Sequence, residues 1–448
     1  MKFLYCLATI LVSLPLCVQA QDYTRPNDLN ITEAQAEKYN CDALCQENLQ
    51  KYEGLDRQIF GNIPFDYDFY ATAANFTSSQ PGDLLKLQQQ NESMYDIPPG
   101  TSLWLMQYIS VDVGGAPVPV TAFIALPYAE APRDKVRLVA YAHGTIGFVP
   151  ACAASSSYNG YDYHSWQLLT APGYAVVATD HAGLGNNYTS HKYGNPVINS
   201  EDVYFSVVAA RKAFPEAFTT EWASVGHSQG AGTVWGLSEN SRVTTTESGE
   251  YLGGVAIAPS ARLDDLLTAS PIAKGYGFGD FIVNIFKALD FPIQPIVLTP
   301  AAMDRYPLTY ELGLCDVSAS ELNVDLPNHG IVDSTPDITQ HNHEAYIAFQ
   351  NKYGAATGRK GYKALLVIQS TDDEIVNVTA TVKAYEYACK IGNIVHLSLY
   401  SGLNHDSSPA ASSPEWLQWL DSRFKGVRSA DADKCVVENV PQLLDTLV

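Results

Sequence analysis

From residue 103 onward, short apolar runs alternate with stretches in which apolar residues recur every three or four positions. A bounded apolar run reads as a buried strand, and the three-four spacing reads as one face of a helix. Runs at 104–108 and 118–125 flank Gly114-Gly115 and predict a β-hairpin. Further runs at 136–142, 174–179, 222–225, 252–257, 364–368 and 395–400 predict strands, with helices at 202–213, 229–238, 380–390 and 415–424. Strand and helix in alternation imply a mostly parallel sheet covered on both faces, an α/β architecture. From 261 to 363 the alternation stops, and the chain becomes a series of short helical pieces rich in Pro and Tyr. An insertion far beyond an ordinary connection is expected to form a helical cap over the C-terminal edge of the sheet. Within it, Phe281, Ile282, Ile285, Phe286 and Leu289 share one stripe. That stripe is either a lid able to touch a lipid interface or a face packed inside the cap.

The start of the chain has a different texture. Lys2, an apolar run at 3–14 and small residues at Val18-Gln19-Ala20 predict a signal peptide, with the mature, secreted chain starting near Gln21. The expected division is therefore a signal peptide at 1–20, an N-terminal extension at 21–95, a first core part at 96–260, the cap at 261–363 and a second core part at 364–448. In the extension, 34–52 has helical spacing before Pro and Gly interrupt it. No later stretch is apolar for long enough to span a bilayer.

A formal net charge of −21 argues against nucleic acid as a partner, since phosphate binding needs clustered Lys and Arg. Of eight cysteines, Cys41, Cys45, Cys152, Cys315, Cys389 and Cys435 follow the signal peptide. An even number in an exported chain predicts disulfides, and six cysteines leave fifteen pairings open. Sequons at Asn30, Asn75, Asn91, Asn187 and Asn377 predict glycosylation. Nothing in the sequence bears on oligomeric state beyond the default of a monomer.

Gly226-His227-Ser228-Gln229-Gly230 follows the run at 222–225 and opens the helix at 229–238. A serine between glycines at a strand-to-helix turn is the setting of a nucleophile elbow, where a turn too tight for a Cβ lifts the hydroxyl off the sheet. Serine becomes a good nucleophile only when a histidine takes its proton and an acid fixes that histidine's tautomer. The order along such chains is serine, acid, histidine. The run at 364–368 leads into Asp372-Asp373-Glu374-Ile375-Val376, and Asp373 is preferred because Ile375-Val376 can seat the next helix. Asp372 is then read as a helix cap. The run at 395–400 leads into a loop holding His405. His143 and His227 lie within the expected turn backbone, and His164, His181 and His191 precede the serine. His329, His341 and His343 fall in the cap and His396 in a strand, which leaves His405 as the base. The oxyanion is expected to meet the amide of Gln229 and one from His143-Gly144-Thr145, with Thr145 preferred over Gly144. His341-Asn342-His343-Glu344 offers no third ligand at a recognisable spacing, so no metal or cofactor is expected.

Taken together, 141–145, 152–155, 178–185, the turn at 226–230, 373–376, the turn ending at His405 and 419–424 resemble the secretory lipase family, the yeast lipase A type of the α/β-hydrolase superfamily. The resemblance spans about 103–435. It implies an α/β-hydrolase core with a large helical cap and esterase or lipase activity on an ester or lipid substrate through Ser228, Asp373 and His405, without a cofactor. It also implies the pairings Cys152 with Cys315 and Cys389 with Cys435, leaving Cys41 for Cys45. His227 and Gln229 stand where the lipase A type carries small residues, which directs the expectation to ester hydrolysis in general rather than to long-chain lipids. The alternatives are a serine aminopeptidase or amidase, with Glu311, Asp316 or Asp333 of the cap holding a free amine, and a binding protein without catalysis.

Overall fold

The computed structural model describes residues 31–61, 63–128, 135–269, 277–427 and 433–442. The expected signal peptide and Asn30 lie outside them. Among the described residues ten strands make one sheet: β1 (Leu84–Gln89), β2 (Thr101–Val111), β3 (Pro117–Pro127), β4 (Val136–Ala142), β5 (Ala175–Thr179), β6 (Phe218–His227), β7 (Glu250–Ile257), β8 (Leu365–Ser370), β9 (Val395–Tyr400) and β10 (Val436–Val440). Their order is β1-β2-β3-β5-β4-β6-β7-β8-β9-β10. The first three are antiparallel and β3 meets β5 antiparallel, after which every pairing is parallel.

Side chains on a strand alternate between faces, and β4 shows what that achieves. Leu138, Ala140 and Ala142 join one core with Val203 and Val207 of the Pro196–Ala213 helix, Val234 of the Gln229–Ser238 helix and Ala384 of the Val378–Lys390 helix. Val139 and Tyr141 join the opposite core, with Trp166 and with Trp416 and Leu420 of the Ser413–Phe424 helix. Covered on both faces, the central parallel strands need no polar residues, which is why they read as apolar runs.

A third core lies above the sheet. The 261–363 stretch contributes the helices Leu263–Ala269, Gly279–Lys287, Pro300–Leu312, Asp316–Ser320 and Pro336–Tyr353, joined by a bridge between Leu298 and Ile331. Phe281, Ile285, Phe286 and Phe349 are buried there together with Cys45, Leu49 and Phe60. The last three belong to the helix Ala43–Phe60, so residues before the sheet are part of the same apolar core as the cap. Asp56 of that helix is buried and accepts hydrogen bonds from the amides of Val317 (3.0 Å) and Ser318 (3.1 Å), satisfying amides that the first turn of the Asp316–Ser320 helix leaves without an intrahelical partner.

The 34–52 spacing corresponds to two helices, Glu33–Lys38 and Ala43–Phe60. Between them Asn40 takes a positive φ of 51° and Asp42 caps the second helix through the amide of Cys45. β1 also falls within the expected extension, and β10 near the C-terminus was not anticipated. Both are short edge strands, with three polar residues of six in β1 and two of five in β10, so neither has the apolar run of a buried strand. Disulfides join Cys41 to Cys45, Cys152 to Cys315 and Cys389 to Cys435. Asn75, Asn91 and Asn187 are exposed, whereas Asn377 is half-buried and caps a helix through the amide of Thr379 (2.9 Å).

The Cys152–Cys315 bond closes a sequence separation of 163 residues and ties the loop after β4 to the cap. Replacing both cysteines with alanine is expected to lower unfolding free energy by about 2–5 kcal/mol. Urea denaturation of the wild type and Cys152→Ala/Cys315→Ala, side by side, measures it.

Candidate active site

Ser228 stands between β6 and the Gln229–Ser238 helix at φ 56°, ψ −117°, a conformation that costs a non-glycine residue strain. Close packing imposes it. A Cβ on Gly226 would lie 2.3 Å from the Gly230 carbonyl oxygen, and one on Gly230 would lie 2.0 Å from that of Ala142. The turn is further fixed by the Ser228 amide donating to Ile257 (2.9 Å) and by its carbonyl accepting from Ala231, Gly232 and Ser260 (each 3.1 Å). Among the described residues Ser228 Oγ has no hydrogen-bond partner.

Beyond β8 and β9, Asp373 and His405 come together. His405 Nδ1 donates to Asp373, at 2.9 Å from Oδ2 and 3.0 Å from Oδ1. Burial pushes the Asp373 pKa up, but the His405 bond and charge and the amides of Val376 and Ile375 outweigh it and hold the carboxyl below its ordinary range. The amide bonds to Asp373 are 2.8 and 2.9 Å. One supporting residue escaped the sequence reading. Gln369, buried near the end of β8, donates to Asp373 Oδ2 (3.1 Å) while its own oxygen accepts from Thr381 (2.7 Å). A polar residue closing an otherwise apolar strand is the signal that marks it.

Asp372 is exposed and does not cap the next helix, whose cap is Asn377. It accepts instead from the amide of Gly402 (2.7 Å) and from Thr371 (2.8 Å), bracing the loop that carries His405. Its pKa is lowered by those same two bonds. The rings of His227 and His405 lie 4.6 Å apart, and His227 Nε2 donates to the His405 carbonyl (3.2 Å). Burial, followed by the His405 charge, pushes the His227 pKa down to about 3, so its ring stays neutral.

The loop after β4 lies against the serine. A Cβ on Gly144 would sit 3.5 Å from Ser228 Cβ. Thr145 is fixed by a hydroxyl bond to Tyr193 (2.8 Å) and by Tyr161 donating to its carbonyl. Among the described residues the amides of Gly144, Thr145 and Gln229 have no acceptor, leaving three donors free near Ser228. The Gln229 side chain is turned away, donating to His191 (3.0 Å).

Ser228 opens on two arms of a cleft. One is apolar, walled by Leu263, Leu266, Phe281, Ile282, Ile285 and Val376. Three of those residues belong to the Gly279–Lys287 helix, so the expected stripe packs inside the cap and lines the cleft. The other arm is polar, lined by His405, His227, Tyr161 and Tyr163 together with Asp316, Glu321, Glu374 and Asp406. Of the three cap carboxylates singled out from the sequence, only Asp316 reaches this cleft. Glu311 bonds Tyr39, Lys38 and Gln35, and Asp333 bonds Asn328. His341 and His343 point to different partners, the Gln294 carbonyl (2.9 Å) and Asp264 (2.6 Å).

No protein-family model matches the chain, and no curated protein matches it in sequence. Solved structures do match. Lipase A from Candida antarctica is 15% identical with a TM-score of 0.63, covering 84% of this chain and 90% of that one. A putative hydrolase from Legionella pneumophila is 15% identical with a TM-score of 0.61, covering 77% and 99%. The rice cell wall degrading esterase LipA from Xanthomonas oryzae is 17% identical with a TM-score of 0.59, covering 78% and 97%. The fold is that of an α/β-hydrolase.

The neutral His227 makes folding sensitive to acid. Unfolded, it takes up a proton near its ordinary value of 6.5; folded, it resists until about pH 3, so acid favours the unfolded chain in that window. Relative to His227→Gln, the wild type is expected to lose about 1.4 kcal/mol of stability per pH unit as pH falls through that window. Urea midpoints of both proteins at several pH values check the slope difference.

Proposed function

Starting from the α/β-hydrolase fold, we propose that the protein is a secreted serine carboxylic-ester hydrolase with Ser228 as nucleophile, His405 as general base and acid, and Asp373 as its orienting partner. The observation that carries this reading is His405, held by a buried carboxylate and opening into the same cleft as a serine strained at the head of a helix. With Nδ1 engaged by Asp373, His405 has Nε2 left to take the Ser228 proton as the hydroxyl attacks the ester carbonyl. Charge developing on the carbonyl oxygen meets the unpartnered amides of Gln229 and Thr145. His405 then protonates the departing alcohol, and a water activated by the same ring hydrolyses the acyl-enzyme. Export is supported by the leader-like first twenty residues and by three disulfides.

The two arms orient the substrate. Because His405 delivers a proton to the leaving group, that group occupies the arm His405 lines, and the acyl group takes the apolar arm. An aminopeptidase needs its carboxylate on the acyl side, since the free amine belongs to the acyl component. The apolar arm has no charged residue in its lining, and Asp316 lies on the opposite side. Ester hydrolysis with an apolar acid component is therefore preferred over peptide hydrolysis.

Hydrolysis of p-nitrophenyl esters from C2 to C16 tests the reading. Turnover is expected in the wild type and only background in Ser228→Ala, with kcat of Asp373→Asn reduced about 10⁴-fold. A fluorophosphonate is expected to label the wild type and spare Ser228→Ala. Absence of both turnover and labelling in the folded wild type overturns the assignment.

A further inference from the structure

We infer that the arm on the His405 side receives a cationic alcohol, so that the preferred substrates are esters joining an apolar acid to an ammonium-bearing alcohol. This rests on the ester hydrolysis proposed above and specifies its substrate.

Four carboxylates face this arm: Asp316 and Glu321 from the cap, and Glu374 and Asp406 from the loops after β8 and β9. No Lys or Arg is in the lining, and among the described residues none of the four forms an ion pair with one. Elsewhere in the cap, buried acids do find cations, as in Arg305 with Asp325 (2.7 Å) and Arg262 with Asp265. The arm differs from an ordinary acidic surface because reacting groups open into it, at the place where a leaving group must pass His405. Glu374 and Asp406 are exposed while Asp316 and Glu321 are half-buried, and a cation entering the arm offsets the cost of charge on the half-buried pair where a neutral alcohol does not.

Burial pushes the Asp316 pKa up to about 8, with Asp56 and Asp406 adding to the effect, and burial likewise raises Asp406, with Glu374 and Asp373 adding. Asp316, which accepts from the Tyr161 hydroxyl (3.3 Å), is therefore largely protonated near neutral pH, and a cation in the arm shifts it toward the carboxylate. The remaining walls suit a cation as well. The rings of Tyr161 and Tyr163 pack edge to face at 4.9 Å, and Phe278 lies across the arm. Aromatic faces attract ammonium groups; the acyl arm on the other side of Ser228 is also partly aromatic, with Tyr193, Phe278 and Phe281, but no carboxylate is in its lining.

The test compares butyrylcholine with 3,3-dimethylbutyl butyrate, which has the same acyl group and a neutral alcohol of matching shape. With the full mature protein at low ionic strength, kcat/KM is expected to favour the choline ester by about tenfold or more, the size of one desolvated cation contact. That ratio is expected to shrink in high salt and in Asp316→Asn/Glu321→Gln. Choline is also expected to inhibit p-nitrophenyl butyrate hydrolysis more strongly than 3,3-dimethylbutanol does. Turnover of both esters at equal rates, or faster turnover of the neutral one, overturns the inference and leaves ester hydrolysis standing. Failure to hydrolyse either butyrate overturns ester hydrolysis, and this inference with it.

Discussion

A turn with no room for two Cβ atoms sets the geometry around which the rest of the molecule is arranged. Gly226 touches Gly230, Gly230 touches the end of β4, and Ser228 is driven into a positive φ at the head of a helix. That contact works only if β4 and β6 are adjacent and parallel, which the sheet order provides. Parallel strands send all their C-terminal ends to one edge of the sheet. The loops after β4, β6, β8 and β9 therefore gather there, bringing Thr145, Ser228, Asp373 and His405 from distant parts of the chain to one cleft.

The central strands and their helices were legible because burial on both faces turns each strand into an apolar run. The β4 run and the helix after Ser228 were read to the residue. Edge strands β1 and β10 were not, since none of their residues is fully buried and polar residues interrupt both. In the candidate site, the order of serine, acid and histidine could be read from position relative to strands. Support from Gln369, the bracing role of Asp372 and the His227–His405 ring contact could not, because each depends on a neighbour far away in sequence or on the path of a turn. The cysteine pairs were equally beyond spacing alone and needed a family resemblance.

The division of the cleft into an apolar and an acidic arm belongs to the tertiary structure. The cap lays the Gly279–Lys287 helix over one side of Ser228 and the Asp316–Ser320 helix over the other. The second of these is only five residues long, and its position owes much to Asp56 and to the Cys152–Cys315 bond. A segment that reads as a mere extension thus sets where a carboxylate of the cleft stands.

The Cys389–Cys435 bond links the Val378–Lys390 helix to the residue that immediately precedes β10. β10 has mostly exposed side chains, so apolar burial contributes little to its attachment. Without the bond, its hydrogen-bonding edge on β9 is left to be held by backbone pairing alone. An uncovered parallel edge is a template for strands of other copies, which makes this bond a guard against aggregation. Production in a reducing cytoplasm therefore exposes the chain to insoluble association even where its core can form, and an oxidising compartment is the setting in which its last strand stays in place.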